Sequence, residues 1–131
     1  MDLETAKNHY ITRSRQIIDA NESMARDSYG LLEMITKTKL KHHKDKLGEF
    51  YMWLREYDEA YSENISISGS INDVLMKQGK LGIAEKAREI FISSLNSYEK
   101  ELSNIEGNIN FKLTTSIAVL AIIVSVSMGA I

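Results

Sequence analysis

Apolar side chains recur at steps of three and four along most of this chain, and from Leu113 onwards the charged positions stop altogether. In the first segment Leu3, Tyr10, Ile17, Met24 and Leu31 fall seven apart, with Ser14, Asn21, Ser28 and Ile35 between them. A second stripe runs through Leu40, His43, Leu47, Phe50, Leu54, Tyr57 and Tyr61. A third takes in Leu81, Ala84, Arg88, Phe91, Leu95, Tyr98, Leu102, Ile105 and Ile109. This spacing holds one stripe on one helix face and is the pattern of coiled-coil-like packing. Strand-like alternation appears only in Asn64–Ser68, which is too short to found a sheet. The expected class is all-α: an antiparallel bundle of three helices, over residues 2–35, 40–63 and 71–110, followed by a C-terminal transmembrane helix.

The uncharged run Leu113–Ile131 matches the ~20 apolar residues that a helix needs to cross a hydrocarbon core. Leu113, Ile117, Leu120, Ile123 and Val126 typify the expected span, and the lipid bilayer is its partner. Standing at the end of the sequence, it predicts a tail anchor that inserts after synthesis. Residues 1–111 would then form a cytosolic bundle and 112–131 the anchor, in a bacterial inner membrane or a eukaryotic internal one. A very apolar helix buried in a soluble oligomer is disfavoured, because no polar face interrupts the run. Met1–Asn8 is acidic and polar, unlike a secretory signal. Ala121, Ser125 and Gly129 recur four apart, the small-residue pattern that lets membrane helices approach closely. This face predicts a homo-oligomer.

The absence of proline, against a usual frequency of ~5%, suits a chain that is nearly all helix. The clearest break is Asn64–Ser70, uncharged and turn-rich. Ser70 and Asp73 then have capping-box spacing for a new helix, which Gly79 and Gly82 weaken near its start. A straight hairpin about this turn would lay residues 3–21, with their charges, beside the span, and charge at bilayer depth costs ~2.5–3.5 kcal/mol per residue even on lenient scales. The N-terminal part must therefore break. The heptad restarts out of phase at Leu40, which places a turn or kink within Thr36–Lys46, with Gly30 the second choice.

The Thr36–Lys46 stretch also carries the strongest charge cluster: Lys37, Lys39, Lys41, Lys44 and Lys46, beside His42 and His43. Anionic lipid headgroups are its natural ligand, at ~1 kcal/mol per lysine near a surface. The plainer reading is a solvated helix end, partly neutralised by Glu33, Asp45 and Glu49. Nucleic acid is disfavoured, since no aromatic residue in the cluster can stack a base and the net charge of the chain is −2. Adjacent histidines point about 100° apart on a helix, so His42 and His43 lack metal-pair spacing. No cysteine is present, nor any phosphate-cradling glycine loop or nucleophile elbow. No metal, cofactor or catalytic residue is expected.

Leu81, Ala84, Arg88, Phe91, Leu95, Tyr98 and Leu102 form the expected helix interaction stripe. Arg88 at a core-type position is a candidate register device, and the small, partly polar seam of the first helix predicts weaker packing there. Trp53 lies off the main stripe as a candidate partner anchor. The function expected is a non-enzymatic, membrane-anchored interaction and assembly module, binding copies of itself or a helical protein. A membrane-active effector, holin-like or pore-forming, is the alternative. The passage of a coiled-coil segment directly into a terminal anchor resembles small SNARE proteins, with Arg88 where they carry a polar central layer. The firm heptads before the anchor are fewer than a full SNARE motif has. That resemblance implies membrane tethering.

Overall fold

Asp2 accepts the backbone N–H of Thr5 at 2.7 Å and so caps α1 (Leu3–Arg26). Three helices follow: α2 (Leu31–Thr36), α3 (Thr38–Glu63) and α4 (Ile71–Gly129). The computed structural model describes residues 1–66 and 69–129, among which no strand occurs. Ile67 and Ser68 of the Asn64–Ser68 alternation lie outside the described residues, as do Ala130 and Ile131 of the expected span. At the start of α4, Ser70 Oγ accepts the N–H of Asp73, while the Ser70 N–H donates to Asp73 Oδ2, each at 3.3 Å. The spacing of the two residues had implied this capping box.

Contacts between the helices give their directions. On α1 and α4, Tyr10 lies beside Phe91, and Tyr29, just past α1, lies beside Ile105. These two helices are parallel. Numbers on α3 run the other way: Tyr51 reaches Glu99, Lys44 reaches Glu106 and Lys37 reaches Asn110. Tyr10, Ile17 and Met24, together with Leu40, Phe50 and Tyr57, close a core around Phe91, Leu95, Tyr98 and Leu102. The small seam of α1 lets it lie close against α4. Ala6 and Ser14, with Ala84, Ala87 and Ser94 on α4, are buried, and α1 makes its most extensive contacts with α4.

The first helix is shorter than its heptad pattern implied. It ends at Arg26, residues 27–30 are non-helical, and α2 is a separate single turn and a half. Leu31 and Ile35, which continue the sequence register, are each 65% exposed. A second break follows at Lys37, whose φ of 54° is left-handed. Both candidate break sites are therefore used, and the kink expected across Thr36–Lys46 is confined to one residue, with α3 helical from Thr38. α4 runs unbroken through Gly79, Gly82 and Gly107, so no turn or hinge separates bundle from apolar run. Its 59 residues make a rod of about 88 Å.

Candidate membrane interface

The protein cover of α4 ends with the charges. Ile109 is its last buried residue, and the apolar window beyond it is wholly unburied. Leu113 is half-covered, while Ile117, Leu120, Ile123 and Val126 stand free, Val126 at 67% exposure. Two of the five hydroxyls between Leu113 and Gly129 bond within the helix: Ser116 donates to the Lys112 carbonyl and Ser125 to that of Ala121, both at 2.8 Å. Backbone and side-chain polar groups that bond internally are what a hydrocarbon environment demands. Ala121, Ser125 and Gly129 lie exposed along one small-residue face. Length and composition make this helix a candidate membrane span, and its lack of cover does not fit the core helix of a soluble protein.

The corner between α1 and α3 packs against the last turns of α4 before that run. Tyr29 and Met34 line a small cavity with Ile105, Asn108, Ile109 and Lys112, and Lys37 Nζ donates to Asn110 Oδ1 at 2.9 Å. Glu33 holds the corner together. It is buried, and its Oε1 accepts the backbone N–H groups of Lys39 and Leu40, the latter at 3.1 Å. These are orphan donors of α3, whose N-cap residue Lys37 makes no side-chain cap. Glu33 is thus more than the neutralising charge expected of it. A carboxylate shortly before a helix start that lacks Ser, Thr, Asp or Asn was the available signal.

The five cluster lysines do not form one uniform patch. Lys39 pairs with Asp27 at 3.1 Å and Lys44 with Glu106 at 2.7 Å. Lys37 meets only the neutral Asn110 amide, and Lys41 and Lys46 have no carboxylate partner among the described residues. His43, on the core stripe, is buried beneath this cluster with Nε2 3.7 Å from Asp27 Oδ2 and its backbone carbonyl accepting from Tyr98 at 3.0 Å. Burial pushes its imidazole below the ordinary value, with His42 and Lys46 adding to the effect and Asp27 opposing it.

The α4 stripe faces inward. Ala84, Phe91, Leu95, Tyr98 and Leu102 are buried against α1 and α3, and Leu81 is half-buried. They are thus used within the chain, and a partner reaches them only if the bundle opens. Arg88 lies at the core rim, where its Nε and Nη2 grip Asp58 Oδ1 and Oδ2 at 2.7 and 2.9 Å. Tyr10 O–H donates to the same Asp58 at 2.6 Å, so one carboxylate joins three helices. Trp53 is also engaged at home, with the Arg13 guanidinium 4.1 Å above its ring and Phe50 beside it. No group of acidic and histidine side chains among the described residues is placed to hold a metal ion.

No family model, curated protein or solved structure matches this chain.

Proposed function

We propose that this is a single-pass membrane protein whose bundle is a non-enzymatic interaction and assembly module. One observation carries the reading: an uncharged helix, apolar all round and free of protein cover, continues without a break from a well-packed bundle that stops where the charges stop. Its eight large exposed side chains from Ile117 to Met128 favour an apolar medium by ~1.5–3 kcal/mol each, about 12–24 kcal/mol together. Lys37, Lys39, Lys41 and Lys112 crowd the end of the bundle beside the run. Basic residues next to a span are retained on the cytosolic side. The bundle is therefore read as cytosolic, in the manner of a tail anchor, with oligomers forming through the Ala121–Ser125–Gly129 face.

The full-length protein should stay with membranes through alkaline carbonate, and vesicles containing it should retain an encapsulated dye. Recovery in the supernatant without detergent would overturn the span. Dye release would favour the holin-like or pore-forming alternative, and bridging of two vesicle populations the tethering one.

A further inference from the structure

The corner at α2 leaves three large apolar side chains with nothing to cover them. Leu31, Leu32 and Ile35 are 65%, 74% and 65% exposed. At 100° per residue they occupy one continuous arc of the helix, while Glu33 and Met34 take the opposite side and pack inward. The arc is held in place, because Glu33 is bonded to the start of α3 and Lys37 to Asn110. A solvent-facing turn of this composition has a cost in water and no benefit within the bundle.

Its height along α4 identifies what covers it. The residues that α2 and its flanks touch, Ile105 to Lys112, stand from about 12 Å down to about 1.5 Å above Leu113 at 1.5 Å per residue. The headgroup layer of a bilayer is about 5–8 Å thick on each side of the hydrocarbon core. The α2 corner thus overlaps the interfacial zone of any membrane that Leu113–Gly129 crosses. Phe111, 72% exposed, is at the same level. The charges suit the location too: among the described residues Lys37, Lys41 and Lys112 pair with no carboxylate, and with Lys39 and Lys44 they make five cations against Asp27, Glu33 and Glu106.

We propose that α2 is an interfacial footing: Leu31, Leu32 and Ile35 enter the headgroup–acyl boundary of an anionic leaflet while Lys37, Lys41 and Lys112 meet its phosphates. Short apolar faces flanked by lysines bind this boundary by inserting ~5–10 Å, with electrostatic attraction to anionic lipid added. The bundle then touches the bilayer at two places, along α4 and at α2, and this fixes its rotation about the α4 axis as well as its depth. The inference rests on the span reading.

The chain contains no cysteine, so single-cysteine variants of the full-length protein give clean reporters. Leu32→Cys, Leu120→Cys and Ile83→Cys, each carrying an environment-sensitive fluorophore, would be reconstituted into phosphatidylcholine vesicles containing phosphatidylglycerol and nitroxide-labelled lipids. All three positions are exposed, so labelling leaves the core intact. The expected result is loss of most emission at positions 32 and 120, with shallow quenchers acting best at 32, deep quenchers best at 120, and no quenching at 83. Omitting phosphatidylglycerol should reduce the loss at 32 alone; equal quenching without it would overturn the anionic part of the proposal. Quenching at 120 but not at 32 would overturn the footing and leave the span standing, whereas no quenching at 120 would remove both. An emission at 32 that is blue-shifted, indifferent to lipid quenchers and dependent on protein density would show a second copy seated on α2, which also overturns the proposal.

Discussion

Arg88 on α4 and Asp58 on α3 meet through two parallel hydrogen bonds, at the end of the bundle remote from the uncharged run. Charge-assisted bonds of this kind contribute about 1.5–3 kcal/mol when shielded, but both side chains here are about one-third exposed, 36% and 33%. Asp58→Ala should therefore destabilise the bundle by roughly 1–2 kcal/mol, with part of the loss coming from the stranded Tyr10 hydroxyl. Thermal melts of both single variants and the double variant would give the coupling. A coupling near zero would mean that the pair is decorative. Burial raises the Asp58 carboxyl, but Arg88 and Tyr10 outweigh it and hold the carboxyl below its ordinary value. Its contribution is thus present above pH 3.8 and is lost as acid carries it through the lower folded value.

Glu33→Ala should cost about 0.5–2 kcal/mol, the range for losing a helix cap. The loss should be local. Hydrogen exchange at Lys39 and Leu40 would rise, while amides near Phe91 keep their protection. Uniform loss of protection would instead place Glu33 in the global core.

His43 makes the same corner sensitive to mild acid. Its folded value lies below the ordinary 6.5, so the unfolded chain takes up the proton first. The stability that the neutral ring contributes is complete above about pH 6.5 and is lost as pH falls through the folded value. Asp27 attracts the charged ring, and His42 and Lys46 repel it. His43→Gln should flatten the dependence of melting temperature on pH between 7 and 5. An unchanged slope would assign that dependence elsewhere.

A chain ending after Lys112 should remain folded and need no detergent, because Ile109 is the last buried residue of α4. Its melting temperature should match that of the bundle in the full-length protein within a few degrees. Aggregation or loss of helicity would show that the uncharged run supports the bundle.

Association through the small-residue face should respond to bulk. Ala121→Leu combined with Ser125→Leu would block close backbone approach and lower the oligomer fraction in mild detergent, with the bundle melt unaffected. If the oligomer survives, association runs through the bundle. An unaltered chain that is already monomeric would remove the oligomer altogether.

The helical class, the Ser70–Asp73 start of α4 and the inward faces of α3 and α4 were legible because each depends on local spacing. The end of α1 was not. Leu31 and Ile35 keep the heptad register, yet the backbone leaves the helix at Asp27 and returns with those side chains turned outward. Periodicity records which residues avoid water without recording what covers them, and at α2 that ambiguity misled. Asp58 and Glu33 were missed for different reasons. Asp58 works across a chain reversal, pairing with Arg88 thirty residues on, and no fixed sequence interval announces such a pair. Glu33 acts locally on the first amides of α3, but only once the break at Lys37 is known does its place before a helix start stand out. The lysine cluster read as one unit because composition cannot distinguish Lys44, neutralised by Glu106, from Lys41, which pairs with no carboxylate among the described residues.

The unbroken passage of α4 also has a mechanical consequence. Ile71 stands about 63 Å along the rod from Leu113. Membrane helices lean by about 20° on average, by an amount that follows bilayer thickness. On a rod of that length such a lean carries the tip sideways by about 20 Å. The tip is where Ile71, Leu75 and Met76 project, all at least 60% exposed. If Leu113–Gly129 crosses a bilayer as proposed, α4 would work as a lever within whatever lean the α2 footing permits: a small difference in membrane thickness would become a large difference in where its far end meets another molecule.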